Sequence, residues 1–242
     1  MIQVITAVTR FGVNALSPGF NDVMYSLNYF LGRVGCGMSA YGILGTVVTE
    51  HLLARRFDVT GFGENQKALA EMMEHYAIDV ATHINDIGKV DVVIACTHNV
   101  NTRLNSEHVE RLRKRNRKLL VIDVAEPANL DEQTYQLCRN RVIRQDAGNV
   151  YSPLLRYVLG GISSNMLNLL PNVVFGCFAE SLALYHAIYH EHNHVLLNQD
   201  WFQVNSANRA LIADAFESVS ITCPNRTCFN KPVQSFKLEH CE

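Results

Sequence analysis

Three short groups of residues in this chain have types and spacings that can do chemistry. The first is Ala40-Tyr41-Gly42-Ile43-Leu44-Gly45, an A-x-G-x-x-G turn between a strand-like stretch and an amphipathic run. In such a turn the second glycine lets backbone approach a pyrophosphate. The third lets the helix pack on its strand, and the helix N-terminus attracts the anion. The second group is Glu64, about 20 positions further on, where a carboxylate accepts from both ribose hydroxyls and repels a 2′-phosphate. The third is Thr97-His98-Asn99, directly after the apolar run Val90 to Cys96. Together they predict a dinucleotide site: NAD, with NADP as the alternative, since Lys67 is the nearest cation after Glu64. His98 is the candidate for acid/base work because an unperturbed imidazole titrates near neutrality. Plainer readings stand beside these. The glycines also suit a tight turn, Glu64 a solvated position near a helix start, and His98 an ordinary loop.

The elements that must position these residues are legible as alternating strands and helices. A strand over Val34 to Ser39 leads into the turn, and a helix follows from Ile43 to Arg56 with Leu44, Val47, Val48 and Leu52 on its buried stripe. A competing register, Gly35-Cys36-Gly37-Met38-Ser39-Ala40, leaves about five residues too many before the second strand, so the later register is preferred. Strands over 57–63, 80–84, 90–97, 118–124 and 141–145 alternate with helices opened by Asn65 and by Asn105 or Ser106. Val90 to Thr97 and Lys118 to Val124 are continuous apolar runs, as strands covered on both faces require. The fold class expected is α/β, a doubly wound parallel sheet of the Rossmann type with C-terminal helices. Those helices span Val173 to Tyr189 and Asn205 to Val219, and offer a surface for a homodimer. Division into 1–33, a helical N-terminal segment; 34–170, the dinucleotide domain; 171–221, the helical segment; and 222–242, a tail, follows from the same pattern.

Composition narrows the classes. The chain has 242 residues, 48% of them hydrophobic, and a formal charge of −2, so no global field points to nucleic acid or a membrane surface. No apolar stretch reaches the length of a membrane span, and Met1 to Val8 lacks a basic start, which makes it a poor signal peptide. Seven scattered cysteines are an odd number, several within apolar runs, and predict free thiols in a reducing cytoplasm.

Val90-Asp91-Val92-Val93-Ile94-Ala95-Cys96-Thr97, followed by Leu119-Leu120-Val121-Ile122-Asp123-Val124-Ala125-Glu126-Pro127, resembles the strand pair of glutamyl-tRNA reductase. Cys177-Phe178-Ala179-Glu180, then Asn198-Gln199 and a terminal helix, resembles the end of long-chain acyl-(acyl-carrier-protein) reductase. From about Val34 to Val219 the chain resembles the NAD(P)-binding domain that these two share with shikimate dehydrogenase. The resemblance implies an NAD(P)-dependent oxidoreductase, or its cofactor-binding half, acting on a small-molecule or carrier-bound carbonyl or acyl substrate. It departs from the pattern in two places. No cysteine lies between Cys138 and Cys177, where the carrier-protein reductase keeps its nucleophile, and Glu64 stands where such NADP enzymes place an arginine. Adenosylhomocysteine hydrolase has a comparable cofactor domain and gives a lesser alternative. A non-catalytic dinucleotide-binding regulatory module is the main one.

Other constellations have structural explanations. Asp123 and Glu126 suit a strand-end turn before Pro127, and Tyr151-Ser152 suit loop packing. His186 and His190 have the one-turn spacing of two metal ligands, with His192 and His194 beyond, but histidines also suit a helix C-terminus; no metal is predicted. Cys223 and Cys228 with His240 and Cys241 have an awkward geometry for zinc. Arg111, Arg113, Lys114, Arg115, Arg117 and Lys118 put six cations in eight positions and are read as a solvated helix end, without the interleaved aromatics of nucleic-acid binding.

Overall fold

Val92 to Ala95 and Leu119 to Asp123 have almost no accessible surface, and they form the two central strands that their unbroken apolar sequence predicts. The computed structural model describes residues 37–38, 43–96, 103–125, 127–154, 169–201 and 205–233. The N-terminal segment 1–33, expected to be helical, lies outside them. Strands β1 (Gly37–Met38), β2 (Thr60–Phe62), β3 (Asp79–Ala81), β4 (Val92–Ala95), β5 (Leu119–Asp123) and β6 (Val142–Asp146) form one sheet in the order β3-β2-β1-β4-β5-β6. Every pairing is parallel; Gly37 sits between Gly61 and Ile94. The chain winds outward from β1 to β3, returns to β4, and winds outward again to β6. That is the doubly wound order.

Helices α1 (Ile43–Ala54), α2 (Gln66–Tyr76), α3 (Ser106–Leu112) and α4 (Glu132–Cys138) join these strands. Side chains set three of their starts. Asn65 Oδ1 accepts from Ala68 N–H at 3.1 Å, Asn105 Oδ1 from His108 N–H at 2.8 Å, and Asp131 Oδ1 from Thr134 N–H at 2.7 Å. The core under α3 and α4 contains Val93, Val121, Leu104, Val109, Leu112 and Leu130. Before β4, the buried Asp91 carboxylate is held by Lys114 and by Arg117 at 3.5 Å. Arg113 pairs with Glu110 at 2.6 Å, and the Arg111 guanidinium donates to the Asn85 carbonyl. Lys114 and Arg117 thus brace the amino end of β4 through Asp91, while Arg111 and Arg113 make contacts at the surface beside it.

This unit runs to Asp146, and the described residues from Ala147 to Pro232 form a second, so 147–154 group with the C-terminal helices rather than with the large sheet. In it β7 (Asn149–Tyr151) pairs antiparallel with β8 (Val173–Phe175). Val173 to Phe175, expected as the start of a helix, is therefore a strand. β-Branched Val173 and Val174 fill it, and α5 (Gly176–Tyr189) starts only at the glycine. α5 packs on α6 (Ser206–Ser218) through Leu184, Ile188, Ile212 and Phe216, with Trp201 closing the cluster. Residues after Thr222 have more structure than a tail. Thr222 exchanges both backbone hydrogen bonds with Tyr151 at 2.8 Å, and β9 (Thr227–Cys228) pairs with β10 (Lys231–Pro232). Phe229 and Asn230, with φ of 52° and 58°, make the tight hairpin turn between them.

Candidate functional site

A parallel sheet brings the carboxyl ends of all its strands to one edge, and the strand order reverses between β1 and β4. The crevice at such a reversal is where open α/β sheets bind ligands. α1 begins at Ile43, five positions after β1 ends, and Gly45 is buried in its first turn. That turn carries no acidic side chain, so nothing there opposes an anion at the helix N-terminus. Gly37 lies inside β1, so the competing glycine register has its central glycine in a strand and not in the turn. Ala40, Tyr41 and Gly42 lie outside the described residues.

On one side of the reversal, Gly63 N–H donates to the Ala81 carbonyl at 3.3 Å and carries the β2 pairing to the edge of the sheet. Glu64 follows, exposed, immediately before the Asn65 cap of α2. It lines a cleft of about 300 Å³ at the carboxyl ends of β2 and β3. Phe62 and Gln66 share its wall, Thr82, His83 and Ile84 close the side after β3, and Arg103 and His108 complete it. His108 is tied into this wall. Its Nδ1 accepts from Asn105 N–H at 3.3 Å, and the imidazole also bonds the Arg103 backbone. Burial holds its pKa below the ordinary 6.5, against the opposing pull of that backbone bond and of Glu107. The neutral imidazole is the form that accepts at Nδ1, so hydrogen bonding and burial agree.

Toward β6 the sheet edge carries Cys96, Asp123 and Asp146. Burial pushes the Cys96 thiol up to about 12, and the neighbouring Asp123 charge adds to it. Such a thiol stays protonated at neutral pH and makes a poor nucleophile. Asp123 is buried and accepts from the N–H groups of Ala125, Asn129 and Leu130 at 3.2, 2.9 and 3.1 Å. Its carboxylate also meets Arg144 at 3.1 Å, and Arg144 pairs in turn with Asp146. Burial holds the Asp123 carboxyl above its ordinary value, against the downward pull of Arg144 and the three N–H groups. These bonds make Asp123 the anchor of the turn after β5. Glu126 lies outside the described residues, as do Thr97, His98 and Asn99.

The cleft brings Glu64 together with three residues the sequence reading did not select: His83, Arg103 and His108. A sequence signal existed for one of them, because His108 stands three positions after the cap Asn105, where a capping-box partner falls. Elsewhere, the Ser152 hydroxyl donates to the Val219 carbonyl at 3.2 Å, which is loop packing. The His186 and His190 rings stack at 5.2 Å, and Glu191 lies 3.4 Å from His186 Nδ1. Among the described residues no group of three or more His, Cys, Asp or Glu side chains is placed to hold a metal ion. Among the described residues, Cys96, Cys138, Cys177, Cys223 and Cys228 form no disulfide. Among the described residues, no helix is long and apolar enough to cross a membrane.

The strand order and a family match over the sheet define a Rossmann-like domain of the dinucleotide-binding, oxidoreductase type. Residues 35–147, the span of this sheet, match the family model described as Shikimate / quinate 5-dehydrogenase. No curated protein matches the chain. Among solved structures it is similar to the nucleotide-binding domain of glutamyl-tRNA reductase from Thermoplasma volcanium, at 18% identity over 55% of this chain and 84% of that one, with a TM-score of 0.37. A dipicolinate synthase from Bacillus halodurans gives 15% identity over 57% and 47%, with a TM-score of 0.45. Shikimate 5-dehydrogenase from Thermus thermophilus gives 12% identity over 55% and 48%, with a TM-score of 0.43. The matched region thus spans about half the length of the last two proteins.

Proposed function

We propose that this chain is an NAD(P)-dependent oxidoreductase, or the cofactor-binding half of one, acting on a small carbonyl or acyl substrate. The observation that carries the reading is the cleft at the carboxyl ends of β2 and β3, with Glu64 in its wall, beside the strand that leads into the glycine turn. The turn 42–45 and the first turn of α1 would receive the pyrophosphate, and Glu64 the hydroxyls of the adenosine ribose. Glu64 favours NAD, while Arg103 in the same cleft supplies the cation an NADP 2′-phosphate would need. A bound nicotinamide supplies the hydride chemistry. In this reading the protein positions the cofactor, and His98, two residues beyond Cys96, moves the substrate proton, with Thr97 and Asn99 beside the nicotinamide ribose.

The test is a fluorescence titration with NADH and NADPH on the wild type and on Gly42→Asp. The reading expects NADH to bind and the binding to vanish in the variant, because a carboxylate would occupy the pyrophosphate position. Absence of binding to either cofactor would overturn it. One observation favours a second reading, a dinucleotide-binding regulatory module without chemistry. The Cys96 thiol is held protonated and the Asp123 carboxylate is used internally, so neither of these two groups is set up as a nucleophile or base. Cofactor binding with no hydride transfer across a panel of small carbonyl compounds would support the module.

A further inference from the structure

Nine large apolar or tyrosyl side chains are exposed among the described residues, and six of them lie between Phe178 and Leu197. Four of the six, Phe178, Leu182, Tyr185 and Tyr189, stand on α5 at successive spacings of four, three and four residues. That spacing keeps one stripe of a helix turned toward a partner helix. The opposite side of α5 is already used, with Ala179, Ala183, Leu184, Ala187 and Ile188 buried within the unit. α5 is therefore largely apolar on both of these sides, as a helix packed on two faces is. Its single carboxylate, Glu180, is on the buried side, so the exposed stripe carries no charge. The Tyr185 and Tyr189 rings pack at 4.8 Å, which orders two aromatic contact groups in advance.

We propose that this stripe seats a second copy of the same chain, with the two α5 helices antiparallel about a two-fold axis between Leu182 and Tyr185. The sequence of the stripe is self-complementary in that arrangement. Phe178 meets Tyr189 of the partner subunit, and Leu182 meets Tyr185 of the partner subunit, aromatic on aromatic at the ends and aliphatic on aromatic at the centre. A face with no charge gives no electrostatic preference for a different protein and no like-charge penalty against itself. Four side chains about half exposed offer roughly 400 Å² per chain, given about 150–250 Å² for a whole aromatic side chain. Two such faces bury roughly 800 Å², half of a standard interface, the size of a weak, reversible association.

Sedimentation equilibrium of the full chain, from about 1 to about 500 µM, tests this. The wild type should pass from one chain to two across that range. Leu182→Glu should weaken association by about tenfold or more, while Leu137→Glu, which alters an exposed leucine on α4, should leave it unchanged. Leu182 is already half exposed, so far-ultraviolet dichroism of the variant should match the wild type. Mixing Leu182→Glu with Leu182→Lys should restore association, because the two-fold axis brings position 182 of both chains into one small region. A wild type that stays monomeric throughout overturns the proposal. So does a Leu182→Glu protein that associates as the wild type does, or a mixture that stays dissociated.

Discussion

Glu64 and Arg103 line one cleft with opposite charges, and under the proposed function they divide the two cofactors between them. Glu64→Ala should weaken NADH binding by about tenfold, the worth of one hydrogen-bonded carboxylate, and leave NADPH binding unchanged or stronger. Arg103→Ala should do the reverse, and paired titrations with both cofactors read the two effects. His108 adds a pH dependence to the same wall. Its folded pKa lies below the ordinary 6.5, so on acidification the unfolded chain takes up the proton first. Its contribution to stability is present above about pH 6.5 and is lost as pH falls through the window down to the folded pKa. Thermal melting between pH 7.5 and 5.5 should show the loss. His108→Gln, which keeps a capping-box acceptor without a titrating ring, should flatten the curve over about these two pH units. Cys96 allows a simpler check, since a thiol held up to about 12 resists alkylation near pH 8. Peptide mass analysis after brief iodoacetamide treatment should find the exposed Cys223 labelled well ahead of Cys96.

At the scale of elements, the carboxyl edge of the sheet depends on two kinds of fastening. The Asn65 cap starts α2 directly after Glu64, so Asn65→Ala should cost about 1 kcal/mol of stability and also loosen NADH binding. The buried Asp123–Arg144 pair fixes the turn after β5. Arg144→Met leaves that carboxylate buried without its cation and should cost about 3–5 kcal/mol in urea unfolding. Asp123→Asn combined with Arg144→Met should cost less than the sum of the two single changes, because the two groups act as a pair. Sequence alone made these elements legible to very different degrees. The central strands β4 and β5 stand out because burial on both faces demands unbroken apolar runs. The start of α1 at Ile43 stands out because the apolar helical period begins there in the local sequence. α4 is seven residues long with only Cys138 buried, and so leaves no 3.6-residue period to find. β7 and β8 are three residues each and are stabilised by pairing with each other across an interval of 21 residues between them. Arg103 and His108 enter the cleft from the connection after β4, and Arg144 reaches Asp123 from the next strand. No local pattern records such long-range proximities.

At the scale of the whole molecule, the first turn of α1, Glu64 and the cleft all belong to the unit that runs to Asp146, while the α5–α6 core belongs to the unit from Ala147. Each unit has its own cluster of buried side chains, which is the condition for separate local stabilities. A ligand that binds only the folded form stabilises by mass action, and at 100 times its dissociation constant this is worth about 2.7 kcal/mol. With cofactor contacts confined to the first unit, that stabilisation should appear there first. Hydrogen exchange read by mass spectrometry, with and without saturating NADH, resolves the two. Peptides from β4, β5 and α2 should exchange about tenfold or more slowly with NADH present, and peptides from α5 and α6 should change little. Equal protection of both units would show that they open as one cooperative body. The cofactor would then stabilise the helical core as strongly as the sheet, and the α5 stripe would be presented to a partner by a body whose stability the dinucleotide sets.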